Sequence, residues 1–345
     1  ITPGALTTVQ DLGRSGYQAF GVPVSGVMDP RAMRLANILC DNPEEEAVLE
    51  CTLLGPALKF TADNVIALTG GDLGATLDGQ PLAPYGAYAV KSGQTLRFTA
   101  PKTGCRAYLA FHGGLDIPPV MGSRSTYLKA KLGGFSGRKL EKGDELGFRA
   151  PMATIPNLDV RRFTPEFVPR EVYTLRVVLG PQDDAFSEEG LQTFLNETYT
   201  VTPEFDRMGC RLNGAAIAHK NGADIISDGI AFGAIQVPAS GTPIIMLADR
   251  QTTGGYTKDA PFCELYYPVG DRAVKICFRM NEAGLSKLGH SYLAALKEKL
   301  DSGALISAES EEGVAGKLEA VLVQQTGQLA LFYRRPGSRQ YFTVE

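Results

Sequence analysis

The chain has 345 residues, of which 44% are hydrophobic and 21% charged, enough apolar content to bury large cores and too much for intrinsic disorder. Its 38 acidic and 34 basic residues leave a net charge of −4, mixed along the chain without a Lys/Arg block, which argues against a nucleic-acid partner. No apolar run reaches membrane length and no secretory leader is read, so a cytoplasmic protein without a membrane partner is expected.

The 39 glycines and 21 prolines favour many short strands over long helices. Strands are predicted at residues 65–69, 87–90, 95–98 and 107–111, with Asp78-Gly79 supplying the positive φ angles of a hairpin turn. One helix is predicted from Pro30 to Cys40. Asp29 is its cap, Pro30 its first residue, and Met33, Leu35, Ala36, Ile38 and Leu39 its apolar side. Residues 151–170 carry four prolines and read as a linker between a first half, 1–150, and a second, 171–280. The second half should open with a strand at 172–179, followed by a short helix from Ser187 to Asn196. A short echo joins the halves, since residues 66–72 and 244–249 are both apolar runs that end in polar residues. In the tail, 281–345, an amphipathic helix is expected at 282–300 and an antiparallel strand set from 318 on, turning near 325–328.

Several chemistries lack their motifs. There is no P-loop, the glycines at 70–74 are too few for a dinucleotide fingerprint, and no G-x-S-x-G elbow occurs. Three histidines (His112, His219, His290) and six scattered cysteines without a C-x-x-C pair give no expected metal site. The cysteines read as buried free thiols of a reducing compartment. Without a Met-Lys-Met, no covalent biotin is expected on this chain.

The densest chemistry is the run from Leu247 to Tyr256, LADRQTTGGY, directly after the apolar residues 243–247. It offers a carboxylate, a guanidinium, two hydroxyls and two glycines whose N–H groups can approach a ligand. A tight turn in which Asp249 and Arg250 pair and cap backbone explains the same residues. Related mixtures occur at 7–17, at 122–127, at 180–186, and at 206–209 with 227–229. Asp29 reads as a helix cap, and His112 as a local hydrogen-bonding residue rather than a base. Arginine and backbone N–H groups stabilise negative charge developing on a carbonyl oxygen, and an aspartate manages a proton. Asp249, Arg250, Thr252 and Thr253 are therefore the expected catalytic residues. Gln10, Asp11, Arg14, Arg124, Asp206, Gly254, Gly255 and Tyr256 are the expected substrate contacts.

The blocks TTVQDLGRSGYQAFGVPVSGVMDP, GSRSTYL, GPQDDAF, DRMGCRL, ADIISDGI, GAIQVPASGTPI and LADRQTTGGY together resemble the family of the C-type component of 5-oxoprolinase, also described as allophanate hydrolase subunit 2-like or biotin-dependent carboxyltransferase-like. The resemblance covers roughly residues 1–280 and leaves the tail outside. It implies a mainly β fold with few helices, two cyclophilin-like β-barrel domains and, here, an α+β appendage at the C-terminus. It also implies partners resembling the B-type and A-type components of 5-oxoprolinase, a small amide substrate, and ATP used by the complex. Two activities follow: opening of 5-oxoproline to glutamate, or transfer of a carboxyl group from biotin to a urea or amide nitrogen. A non-catalytic regulator that binds the B-type component or a kinase inhibitor is the rival of a different class. With no fused partner or biotin motif in the sequence, the oxoprolinase component is the expected reading. The sequence departs from the family after Tyr256, at 257–263, and at His112.

Overall fold

The computed structural model describes residues 2–164, 175 and 177–255, and the backbone of 256, 317–323, 328–334 and 342–343. The chain divides into two compact units, Ile1–Asp224 with Ile230–Phe262, and Ile225–Gly229 with Cys263–Glu345.

The first unit begins with β1 (Leu6–Gln10), α1 (Pro30–Leu39), β2 (Val48–Thr52), β3 (Ala57–Lys59), β4 (Asn64–Asp72), β5 (Ala75–Leu77), β6 (Gln80–Pro81), β7 (Gly86–Val90), β8 (Thr95–Phe98) and β9 (Thr103–Phe111). They form two antiparallel sheets, ordered β1-β2-β9-β4-β7 and β3-β8-β5-β6. Side-chain alternation divides the larger sheet. Leu49, Cys51, Ile66, Leu68, Leu109 and Phe111 enter a core shared with Ala75 and Leu96 of the smaller sheet. Val48, Val65, Ala67, Tyr108 and Ala110 face the other way, onto Met33, Ala36 and Leu39 of α1. Both faces are covered, which is why these strands read as unbroken apolar runs.

The local signals act as expected. Asp29 accepts a hydrogen bond from the Ala32 N–H at 3.0 Å, and Asp78 and Gly79 take φ of 48° and 84° between the paired residues Leu77 and Gln80. Ile38 departs from the reading. It is 47% exposed, because the helix buries Ala32, Met33, Ala36 and Leu39 on one face and turns Ile38 outward. The proline-rich stretch folds back on the first half: Ile155 is buried, and Arg161 donates to the Ile38 carbonyl and to Asp41.

Later elements are α2 (Glu188–Asn196), β10 (Thr200–Phe205), β11 (Gly209–Asn213), β12 (Asp224–Gly229), β13 (Ile235–Gln236), β14 (Ile244–Met246) and β15 (Thr253–Tyr256). Ser187 caps α2 by accepting from the Gly190 N–H. One sheet runs β10-β11-β14-β13. The strand expected at 172–179 is not present at Val177–Leu179. These residues have no ladder partner and are exposed, while 172–174 lie outside the described residues.

The chain is mainly β with two α-helices among the described residues, where no sheet closes on itself. In the second unit β16 (Lys317–Val323), β17 (Gln328–Arg334) and β18 (Phe342–Thr343) form an antiparallel sheet, where the tail strands were expected. The helix expected at 282–300 lies outside the described residues, as do Cys263 and Cys277. Cys40, Cys51 and Cys210 are buried free thiols, whereas Cys105 is exposed. No described helix is long and apolar enough to cross a membrane.

Candidate functional site

β1 runs directly into the first polar block. Asp11 to Arg14 lies antiparallel to Val24–Val27, through Arg14 N to Val24 O at 2.8 Å and Val27 N to Asp11 O at 2.9 Å. The two segments approach so closely that a Cβ on Gly13 or Gly26 would strike the opposite backbone. Asp11 is the hub of this wall. Its Oδ1 accepts from Ser123 Oγ at 2.6 Å, Ser125 Oγ at 2.5 Å and the Gly13 N–H at 2.8 Å, and its Oδ2 accepts from the Arg124 N–H at 2.5 Å. Gln10 Nε2 donates to Thr8 Oγ1 and to the Thr126 carbonyl, and Arg124 Nε donates to the Ile117 carbonyl. Two blocks separated by more than 100 residues thus join in one buried hydrogen-bonded wall. Gln10, Asp11, Arg14 and Arg124, all expected as substrate contacts, meet there.

A second hub ties this wall to the turn after β14. Arg207 donates through Nη1 to Glu50, through Nη2 to the Gly26 carbonyl, and through Nε and Nη2 to Asp249 at 3.0 and 3.2 Å. Arg207, Glu50 and Asp249 are all at least 95% buried. Glu50 also accepts from the Met28 N–H at 2.7 Å, next to Asp29, whose own N–H donates to the Tyr108 hydroxyl. Burial disfavours the Arg207 cation, but Glu50 and Asp249 outweigh it and hold its pKa above the ordinary value. For Asp249 the balance is opposite. Burial raises its carboxyl, and Arg207 with the Ser25 hydroxyl offsets only part of that. Ser25 is itself buried in the left-handed region, at φ 56°.

Asp249 and Arg250 are neighbours in sequence but do not pair. Arg250 turns to Ile230, donating through Nε to its carbonyl at 2.8 Å and through Nη1 to the Leu247 carbonyl at 3.3 Å, with Phe232 lying 5.8 Å from its Cζ. Burial lowers its pKa to about 10. No carboxylate among the described residues reaches it. The polar loop is shorter than the sequence suggests, because Thr253, Gly254, Gly255 and Tyr256 already lie in β15. The Thr252 carbonyl accepts from the Ile230 N–H.

The remaining expectations distribute differently. Asp206 is exposed and caps its own turn, accepting from Met208 and Gly209 N–H. The block at 180–186 serves a separate small core through Phe186. His112 Nδ1 meets the Cys40 carbonyl, the local role read for it. No cluster of three His, Cys, Asp or Glu suited to a metal occurs among the described residues. Arg207 lies in the marked block 206–209 but was not expected as a site residue, and neither was Glu50, although a lone carboxylate inside the apolar strand 48–51 was a usable signal.

The carboxyltransferase domain model, subdomains A and B, matches residues 20–264. The chain is 35% identical to the C component of 5-oxoprolinase from Escherichia coli over 76% of this chain and 84% of that protein. It is 36% identical to the Haemophilus influenzae protein of the same description, over 73% and 80%. A urea amidolyase of Lachancea kluyveri is 33% identical across all of this chain, which spans 20% of that enzyme. The crystal structure of the Kluyveromyces lactis urea carboxylase matches with a TM-score of 0.67 at 30% identity, over 96% of this chain and 32% of that one. TTHA0988 matches with a TM-score of 0.67 at 34% identity over 75% of this chain, which spans half of it. The matches to the Lachancea kluyveri and Kluyveromyces lactis enzymes extend over the tail, which the expected family resemblance at 1–280 leaves out. By the extent of these matches, the chain belongs to the family of carboxyltransferase domains, subdomains A and B.

Proposed function

We propose that this chain is the C-type component of an ATP-dependent 5-oxoprolinase, acting in the cytoplasm with A- and B-type components on the amide carbonyl of 5-oxoproline. Arg250 is the observation that carries the reading. Two backbone carbonyls and an aromatic ring fix its guanidinium, it is largely desolvated, and no carboxylate among the described residues neutralises it. Such a cation is suited to an oxygen that gains negative charge during reaction. Asp249 contributes by fixing the turn through Arg207, and Thr252, Thr253 and the glycines of β15 border the same segment. ATP and its site belong to the assembly; no metal and no biotin attachment are assigned to this chain.

A second reading, transfer of a carboxyl group from biotin to urea, is favoured by the urea amidolyase similarity across the whole chain. Reconstitution with A- and B-type components discriminates them. Under the first reading, 5-oxoproline and ATP yield glutamate only when this chain is present, and Arg250→Ala lowers the rate by about 100-fold or more. Full activity of Arg250→Ala sinks the role of Arg250. Carboxybiotin-dependent carboxylation of urea, without lactam opening, replaces the first reading by the second.

A further inference from the structure

Arg14 is 1% exposed, yet only one of its three guanidinium nitrogens is satisfied: Nη2 donates to the Ser125 carbonyl, and neither Nε nor Nη1 has an acceptor. Buried donors in a native protein are ordinarily paired, and leaving them open on a charged group is costly. The two carboxylates that act on it are already committed elsewhere. Asp11 and Asp249 influence Arg14 through space. But Asp11 is committed to Ser123, Ser125, Gly13 and Arg124, and Asp249 is held by Arg207 on both oxygens. The surroundings also make room for the guanidinium. Gly133 has φ of 66°, and a Cβ there would overlap Arg14 Nη2 and the Ser125 carbonyl oxygen. Next to Gly133, Leu132 bridges to Tyr127, whose hydroxyl pKa is raised by burial and by the Asp249 carboxylate.

We propose that Arg14 binds the carboxylate of the substrate and selects for acids over the corresponding neutral amides. The open donors call for oxygen acceptors, and the guanidinium charge favours an anionic one. Asp11 and Asp249 nearby favour a monoanion over a dianionic phosphate, because two carboxylates repel the second charge. The assignment rests on the 5-oxoproline reading for the identity of the acid, which carries its carboxylate next to the lactam nitrogen. Under the urea reading the N-carboxylate of the carboxylated urea presents the same chemistry, and bicarbonate is its simplest probe.

The test compares wild type, Arg14→Lys and Arg14→Gln in the full assembly with A- and B-type components. Calorimetry reads the binding of 5-oxoproline, of 2-pyrrolidinone, which lacks the carboxylate, and of bicarbonate; turnover supplies KM and kcat for the lactams. For R14Q the expected result is a loss of about tenfold or more in 5-oxoproline affinity, read mainly in KM. 2-Pyrrolidinone should be unaffected and R14K intermediate. R14K keeps the charge, so it also serves if R14Q does not fold. Arg14-dependent binding of bicarbonate but not of 5-oxoproline supports the carboxylate subsite and removes the 5-oxoproline reading alone. Wild-type binding of neither anion, or anion binding by R14Q and R14K equal to wild type, overturns the proposal.

Discussion

Replacing Arg207 with methionine removes one cation from between two buried carboxylates and deletes four hydrogen bonds at once. Glu50 keeps the Met28 N–H and a distant Arg106 at 3.9 Å, while Asp249 loses its ion-pair partner. Breaking a buried pair from one side costs about 3–5 kcal/mol, because the stranded charge stays out of water. For a unit of this size that is a fall in melting temperature of roughly 6–20 °C. The pH dependence is a sharper signature. Burial already lifts Asp249 above its ordinary value of 3.8, and losing Arg207 lifts it further. A carboxyl with a higher pKa folded than unfolded binds its proton more tightly in the native state, so native stability falls as pH rises from the unfolded value through the folded one. The deficit of R207M relative to wild type should therefore be smallest in acid and grow toward neutrality. Denaturation followed by circular dichroism, at several values between about pH 5 and 8, measures both quantities. A variant within about 2 °C of wild type throughout, or a deficit that shrinks as pH rises, refutes the reasoning.

Asp11→Ala strips the acceptor from four donors and should cost about 2–4 kcal/mol, releasing the 123–126 segment to limited proteolysis. Equal stability and equal protease resistance would show the hub to be dispensable. Among the described cysteines, alkylation mapped by mass spectrometry should label Cys105 first. Cys40 and Cys51 should stay protected until unfolding, since burial raises both thiols, that of Cys51 to about 12.

Much of the first half was legible because its signals are local. Asp29-Pro30 starts a helix and Asp78-Gly79 turns a hairpin with no help from distant residues, and β4 and β9 are apolar because both their faces are covered. Ile38 failed because an apolar residue at helical spacing says nothing about where the covering sheet ends. The site was legible as a set of blocks but not as a wiring diagram. Asp11 and the serines at 123 and 125 stand in blocks that the sequence marks out, and their meeting is a tertiary fact. Asp249 and Arg250 looked like a pair, yet each found its partners elsewhere, Asp249 in Arg207 and Arg250 in two carbonyls. Gly254 and Gly255 suggested an open loop, whereas their backbone is already strand. Glu50 was hidden because a strand core is read for its hydrophobes, and the cation that makes it tolerable is far along the chain.

That separation has a temporal meaning. Glu50 leaves the ribosome 157 residues ahead of Arg207, an interval of roughly 8–30 s at ordinary rates of synthesis. Through that interval the first sheet carries an acid facing α1 without its cation, so the nascent half can assemble early but gains its final tightness only when Arg207, and then Asp249, emerge. Substitutions that slow emergence of the second half, or a chain cut between the halves, would therefore act on the quality of the first, although no residue in it has changed.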